Sequence, residues 1–99
     1  MTWLAIDPGL SNTGWAVMDA SGVYSLGLIR TEKRFDTQYL DSCYRCCKLF
    51  GQLEFVLDVA MPSLDRIYME AKGGSKSARA ATHMAMAQAV CFCLGEAHA

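Results

Sequence analysis

The sequence carries no excess of charge of either sign. Nine Lys+Arg stand against ten Asp+Glu, a formal net charge of -1 over 99 residues. That balance excludes nucleic-acid binding through a global basic field, so any phosphate contact has to come from local clusters. The chain also lacks an apolar run of the ~18 residues that a membrane helix needs. No secretory leader is expected: the opening Met1-Thr2-Trp3-Leu4-Ala5-Ile6-Asp7 has no basic segment and meets a carboxylate too early. These absences predict a soluble, cytoplasmic protein with no membrane partner. Histidine is scarce, with His83 and His98 alone, and no second pair at ligand spacing accompanies Cys43 and Cys46. The five cysteines (Cys43, Cys46, Cys47, Cys91 and Cys93) are odd in number, which argues against a disulfide framework. They read as reduced, core-filling thiols, because free Cys behaves as a small hydrophobe. Met69, Met84 and Met86 read as core filler too. There is no internal repeat, linker or low-complexity tract.

What is present suits one small domain. Hydrophobic residues make up 53% of the chain, enough for a core. A domain of this length buries only a modest fraction of its surface, so a partner chain or a further segment would matter to its stability. Trp3 to Asp7 is short and apolar and stops at Asp7-Pro8-Gly9, the pattern of a buried strand ended by a turn. After a Gly-, Ser- and Asn-containing loop over 8–13, Gly14 to Asp19 reads as a second strand. Ala20-Ser21-Gly22 is a turn, and Val23 to Arg30 reads as a third strand with Gly27 as a bulge. Short links between three strands predict an antiparallel meander. From Thr37 to Ala60 the period changes: Leu40, Cys43, Tyr44, Cys47, Phe50, Leu53, Val56 and Leu57 recur at helical spacing. Asp36 or Thr37 can cap this helix, and Met61-Pro62-Ser63 ends it. Arg66 to Glu70 reads as a fourth strand, 72–77 as a polar loop, and Ala78 to Leu94 as a second helix rich in Ala and Met.

A helix between the third and fourth strands makes a crossover, which places the fourth strand parallel to one already in the sheet. The economical neighbour is the first strand. Asp7 and Glu70 then end adjacent strands at the carboxyl edge, where open α/β sheets build their sites. Two carboxylates held side by side repel one another, and a divalent cation removes the conflict. Mg²⁺ binds through one or two carboxylates plus substrate phosphate, and such ions promote phosphodiester cleavage. The residues alone leave a second reading open, in which Asp7 is a turn acid and Glu70 a solvated strand end. Lys72, Lys76 and Arg79 form a cation cluster without an intervening acid, at the start of the last helix, where helix N-terminus and charge both favour phosphate. Arg30, Lys33 and Arg34 form another, interrupted by Glu32.

The segment Leu4-Ala5-Ile6-Asp7-Pro8-Gly9-Leu10-Ser11-Asn12-Thr13-Gly14-Trp15-Ala16-Val17 resembles the opening of RuvC-type Holliday junction resolvases. In that family an apolar strand ends in Asp-Pro-Gly and the next begins at Thr-Gly. Ile67-Tyr68-Met69-Glu70, followed by a polar loop and an Ala-rich helix, matches the position of the family's second acid. The element order matches as well. The resemblance implies an RNase H-like α/β fold with a mixed sheet, three antiparallel strands and a parallel fourth. It implies a metal-dependent endonuclease acting on branched DNA in recombination and repair. Asp7 and Glu70 become catalytic metal ligands for Mg²⁺, with Mn²⁺ able to substitute. Lys72, Lys76, Arg79, Ser11 and Asn12 become DNA contacts, and the family's two-fold arrangement implies a homodimer. The family adds further acids from a C-terminal helix that would lie beyond Ala99, and Glu96 does not match them. The chain is thus expected to be one truncated domain, 1–99, weak or inactive as a nuclease. The family's aromatic residue after the second acid has no counterpart in Ala71-Lys72-Gly73-Gly74. Two other classes fit parts of the pattern: a non-catalytic DNA-binding or assembly module of the same fold, and an actin-like phosphate-binding fragment, whose first loop is similar.

Overall fold

A computed structural model describes residues 2–60, 64–70 and 77–97. The strands are β1 (Thr2–Asp7), β2 (Asn12–Asp19), β3 (Gly22–Arg30) and β4 (Leu64–Met69); the helices are α1 (Gln38–Ala60) and α2 (Ala78–Ala97). The strands form one mixed sheet in the order β3-β2-β1-β4. β1, β2 and β3 are the expected antiparallel meander, and β4 pairs parallel with β1. No helix among the described residues is long and apolar enough to cross a membrane.

Strand alternation decides which face is core. Leu4, Ile6, Val17 and Ile29 are buried and join Leu49, Leu53, Val56 and Leu57 of α1 and Ala87, Cys91 and Leu94 of α2 in one cluster. Both helices therefore cover the same face. The alternate residues point the other way. On that face Leu26 is 73% exposed, Leu28 54% and Tyr68 52%. The uncovered face of the sheet is apolar.

The β2–β3 link is set by turn chemistry. Asp19 Oδ1 accepts the Ser21 N–H at 2.8 Å and the Ser21 hydroxyl at 2.6 Å, which holds the Asp19 carboxyl below its ordinary pKa. Gly22 then takes φ +127°, where L side chains are rarely found. Helix α2 is capped by Ser77, whose hydroxyl accepts the Ala80 N–H at 3.1 Å. This cap replaces the loop reading of Ser77. For α1 the first turn closes from Asp41 N–H to Thr37 C=O at 2.9 Å, so Thr37 is the residue at its entrance. The 61–63 helix stop and the 72–76 loop lie outside the described residues.

Three expectations are corrected. Gly27 is not a bulge: it pairs with Trp15, and the irregularity falls between Val17 and Met18, opposite Ser25 and Val23. A Cβ on Gly27 would stand 2.6 Å from the Trp15 ring, so glycine here makes room for the indole. The apolar face read for the first half of α1 is also wrong. Leu40, Cys43 and Cys47 are exposed, while Asp41, Ser42, Arg45 and Leu49 are buried. Finally, of the five cysteines only Cys91 is core, where burial pushes its thiol up to about 11; Cys46 is half-buried and Cys43, Cys47 and Cys93 are exposed, all as free thiols. Met69, Met84 and Met86 are half-buried, with Met69 packed against the core as expected.

Because Trp15 lies where a side chain at position 27 would be, Gly27→Ala should displace the indole and destabilise the fold by about 1–3 kcal/mol. Chemical denaturation followed by tryptophan fluorescence measures both effects. A wild-type midpoint with an unchanged native emission spectrum would contradict this packing.

Candidate metal and nucleic-acid site

Asp7 is the last residue of β1, and Glu70 directly follows β4. The parallel register pairs Ile6 with Met69. One step further, the Glu70 N–H donates to the Ile6 carbonyl at 3.0 Å. The two acids thus leave neighbouring strands side by side at the carboxyl edge, as expected from the crossover. Both are exposed, and both belong to the strand alternation that faces away from the helices. Gly14 lies opposite Asp7 across the β1–β2 ladder. The acids border an open groove of about 580 Å³ lined by Ala5, Ala16, Leu26 and Tyr68 among others. Among the described residues no group of three or more His, Cys, Asp or Glu side chains comes together to enclose a metal ion.

The loop after Asp7 is tightly held. Pro8 and Leu10 are buried. A Cβ on Gly9 would collide with the Asn12 carbonyl oxygen, which makes glycine the fitting residue in Asp7-Pro8-Gly9. The fully buried Thr13 spans the loop, accepting the Gly9 N–H at 3.2 Å and donating to the Gly9 carbonyl at 2.6 Å. Thr31, buried after β3, donates its hydroxyl to the Leu10 carbonyl and its N–H to the Ser11 carbonyl, the latter at 3.1 Å.

Beneath this loop lies a polar cluster that sequence reasoning missed. Arg45 of α1 is only 7% exposed. Its Nε donates to the Thr31 hydroxyl at 2.9 Å, and its Nη2 to the Ser11 hydroxyl at 2.7 Å and the Thr31 carbonyl at 3.3 Å. Nη1 stands 3.8 Å from Asp41 Oδ2. The other Asp41 oxygen accepts the Arg34 N–H at 2.6 Å and the Phe35 N–H at 3.1 Å. Those two N–H groups, with the Arg45 charge, hold the Asp41 carboxyl below its ordinary pKa against the opposing effect of burial. His83 of α2 feels the same cluster: burial, then the charges of Arg45 and Arg79, push its pKa down. The one signal in the sequence was the Asp41–Arg45 spacing, an ordinary helical ion pair whose burial only the tertiary structure reveals.

The remaining predicted contacts divide. Ser11 and Asn12 sit at the same edge and are exposed, and the Ser11 hydroxyl is held by Arg45. Arg79 is exposed in the first turn of α2. Lys72 and Lys76 lie outside the described residues. Glu96 is exposed near the far end of α2, in the last turn.

No protein-family profile matches the sequence, and no curated relative does. Solved structures do match. The chain is similar to Thermus thermophilus RuvC in complex with a Holliday junction substrate, at 14% identity and a TM-score of 0.77. It is also similar to another Thermus thermophilus RuvC structure, at 16% identity and a TM-score of 0.74. Each match covers 95% of this chain and 57% of the RuvC chain. The similarity establishes the fold: this chain has the mixed-sheet core of RuvC, over somewhat more than half of RuvC's length.

The polar cluster gives two expectations. Arg45→Ala would leave the buried Thr31 groups and the Ser11 hydroxyl short of a donor and should cost about 2 kcal/mol, with faster amide exchange over residues 9–13. Protection there equal to wild type would show that the loop holds itself. Acid should act in two steps. His83 has a folded pKa below its unfolded value, so stability begins to fall as pH drops below about 6.5. Asp41 has a folded carboxyl below the unfolded one, so its stabilisation is present above about pH 4 and is lost as pH falls through the lower folded value. Urea midpoints against pH for His83→Gln and Asp41→Asn should remove the upper and the lower step respectively.

Proposed function

We propose that this chain is the metal-binding part of a resolvase-type endonuclease that cleaves branched DNA, with Asp7 and Glu70 holding a divalent cation. The observation that carries the reading is the juxtaposition of these two carboxylates on neighbouring parallel strands at the carboxyl edge. Mg²⁺ asks little more of a protein than one or two carboxylates, and takes its remaining oxygens from water and substrate phosphate. Two exposed acids on an open groove suit that demand, and Mn²⁺ accepts the same donors. A bound cation would draw charge from the scissile phosphate and make a coordinated water more acidic.

The chain's own residues supply position and charge balance. Asp7 stands between strand β1 and a loop that begins with the buried Pro8 and is tied to Thr13, Thr31 and Arg45, so the backbone that carries its carboxylate is held in place when phosphate arrives. Arg79 in the first turn of α2, with Lys72 and Lys76 of the segment that precedes it in sequence, neutralises phosphates. Ser11 and Asn12 meet the backbone beside Asp7. Phosphate contacts of this kind position DNA and carry little sequence information. Paired cuts in a four-way junction are most simply made by a two-fold dimer, so a homodimer is part of the proposal. Two carboxylates hold one ion, whereas the two-ion route needs both ions fixed around the phosphate. The 99-residue chain should therefore bind junctions and cut them slowly. A pair of acids, rather than a group of three, among the described residues favours as a second reading a DNA-binding module that retains the fold without turnover.

Calorimetric titration with Mn²⁺, alongside a four-way-junction cleavage assay, tests the site. Asp7→Asn and Glu70→Gln should each weaken Mn²⁺ binding at least about tenfold, since loss of even an outer-shell partner costs that much. Any residual cutting should disappear with them. Metal affinity indifferent to both substitutions would sink the metal reading. Junction binding without any cutting in Mg²⁺ or Mn²⁺ would favour the binding-module reading.

A further inference from the structure

The connection from β3 to α1 carries cations that the carboxylate site does not use. Arg30, Lys33 and Arg34 lie in or beside it, and Lys48 stands one turn beyond Tyr44 on α1; all four are exposed. Two acids, Glu32 and Asp36, share the segment. Asp41 is turned inward, with its oxygens taken by the Arg34 and Phe35 N–H groups and by Arg45. The surface of this corner is thus cationic.

The cations are mounted on aromatic rings. The Arg34 guanidinium lies 5.2 Å from the Tyr44 ring centre and 5.8 Å from that of Phe35. The Lys48 ammonium lies 6.0 Å from the Tyr44 ring centre. The two rings meet edge to face at 5.7 Å. A guanidinium that rests on a ring keeps much of its N–H fork available and has already given up rotamer freedom, so it meets phosphate at a smaller entropic cost. Arg34 also donates to the Tyr44 hydroxyl, which with the Lys48 charge pulls the phenol pKa down. Both cations therefore gather at the one Tyr44 ring.

The position of this cluster relates it to the site. β1 ends, β2 begins and β3 ends at one edge of the sheet: Asp7 pairs with Gly14, and Asn12 with Arg30. Asp41 ties the Arg34–Phe35 backbone to Arg45, and Arg45 ties the Asp7 loop through Ser11. This cluster stands at the β3 end of that edge. Resting on the DNA reading above, we infer that Lys33, Arg34 and Lys48, braced by Phe35 and Tyr44, form a second contact for the DNA phosphate backbone, at the β3 end of the edge. Single-stranded or splayed bases could also stack on the exposed part of Phe35, since base stacking on aromatic side chains is tolerant of sequence.

The test is the affinity of the full chain for a four-way DNA junction, measured against salt for wild type, Arg34→Ala/Lys48→Ala and Tyr44→Leu. Each phosphate that the protein no longer neutralises should lower the slope of log K against log salt by about 0.9, so the double variant should drop by close to two units. Its affinity should fall about tenfold or more at low salt. Tyr44→Leu keeps both charges but removes their support, and should weaken binding with a smaller change in slope. Thermal melts separate this from unfolding, since a merely structural role would lower the melting temperature and leave the slope unchanged. A wild-type slope in a folded double variant overturns the inference and leaves the proposed function standing. Absence of junction binding by the wild type overturns both.

Discussion

The parallel pairing of β4 with β1 is the constraint on which the rest depends. It is the one strand pairing closed by a crossover, and both ends of the ladder are pinned. At the carboxyl end the Glu70 N–H reaches the Ile6 carbonyl. At the other end the Asp65 carboxylate accepts the Thr2 N–H at 2.7 Å, where the register shifts. A slip of one residue would turn Ile67 and Met69 away from the core and Glu70 towards it. The apolar alternation in β4 and the position of the second carboxylate are therefore selected together. Burial of Ile67 and Met69 against Leu4, Ile6 and the helices is what holds Glu70 beside Asp7.

The same alternation puts the acids on the face that the helices leave open. Under the proposed function the carboxylates need access to a substrate, and their face of the sheet has it. The cost is an apolar surface: Leu26, Leu28 and Tyr68 are exposed there at more than half of their full area. Patches of this kind mark places where something else packs. The small residues Ala5, Gly14 and Ala16 keep the middle of that face low, so the groove stays open up to the two acids.

Much of this was legible in the sequence because it rests on short-range rules. Strand period, Asp-Pro-Gly and Ser-Gly turn chemistry and the change to helical spacing located every element to within about three residues. Economy of connection then placed Asp7 next to Glu70. What failed was whatever depends on which neighbour lies above a residue. Gly27 looked like a bulge because a strand glycine often is one, but here it answers to Trp15 on the next strand. The cysteines of α1 looked like core because they fall at helical spacing with Phe50 and Leu53. That spacing holds only for the second half of the helix, which lies on the sheet. The first half crosses the loop edge, where polar backbone groups await partners, and there Asp41, Ser42 and Arg45 turn inward instead.

That substitution of polar for apolar packing has a physical reason. The loop after Asp7 and the connection after β3 both leave the sheet at the same edge, with carbonyls and N–H groups that the ladders no longer satisfy. An apolar side chain at position 45 could fill the volume but would offer these groups nothing. A guanidinium offers a fork whose donors can reach several acceptors at once. Arg45 uses them on Thr31 and Ser11, and its charge steadies Asp41, which in turn accepts the backbone N–H groups of Arg34 and Phe35. A buried ion pair of this sort is weak grounds for expecting net stability, because desolvation consumes much of the attraction. Its evident effect here is positional. One side-chain pair fixes the loop that follows the first carboxylate and the segment that carries the cation-on-ring cluster, so these two parts of the edge keep a constant relation.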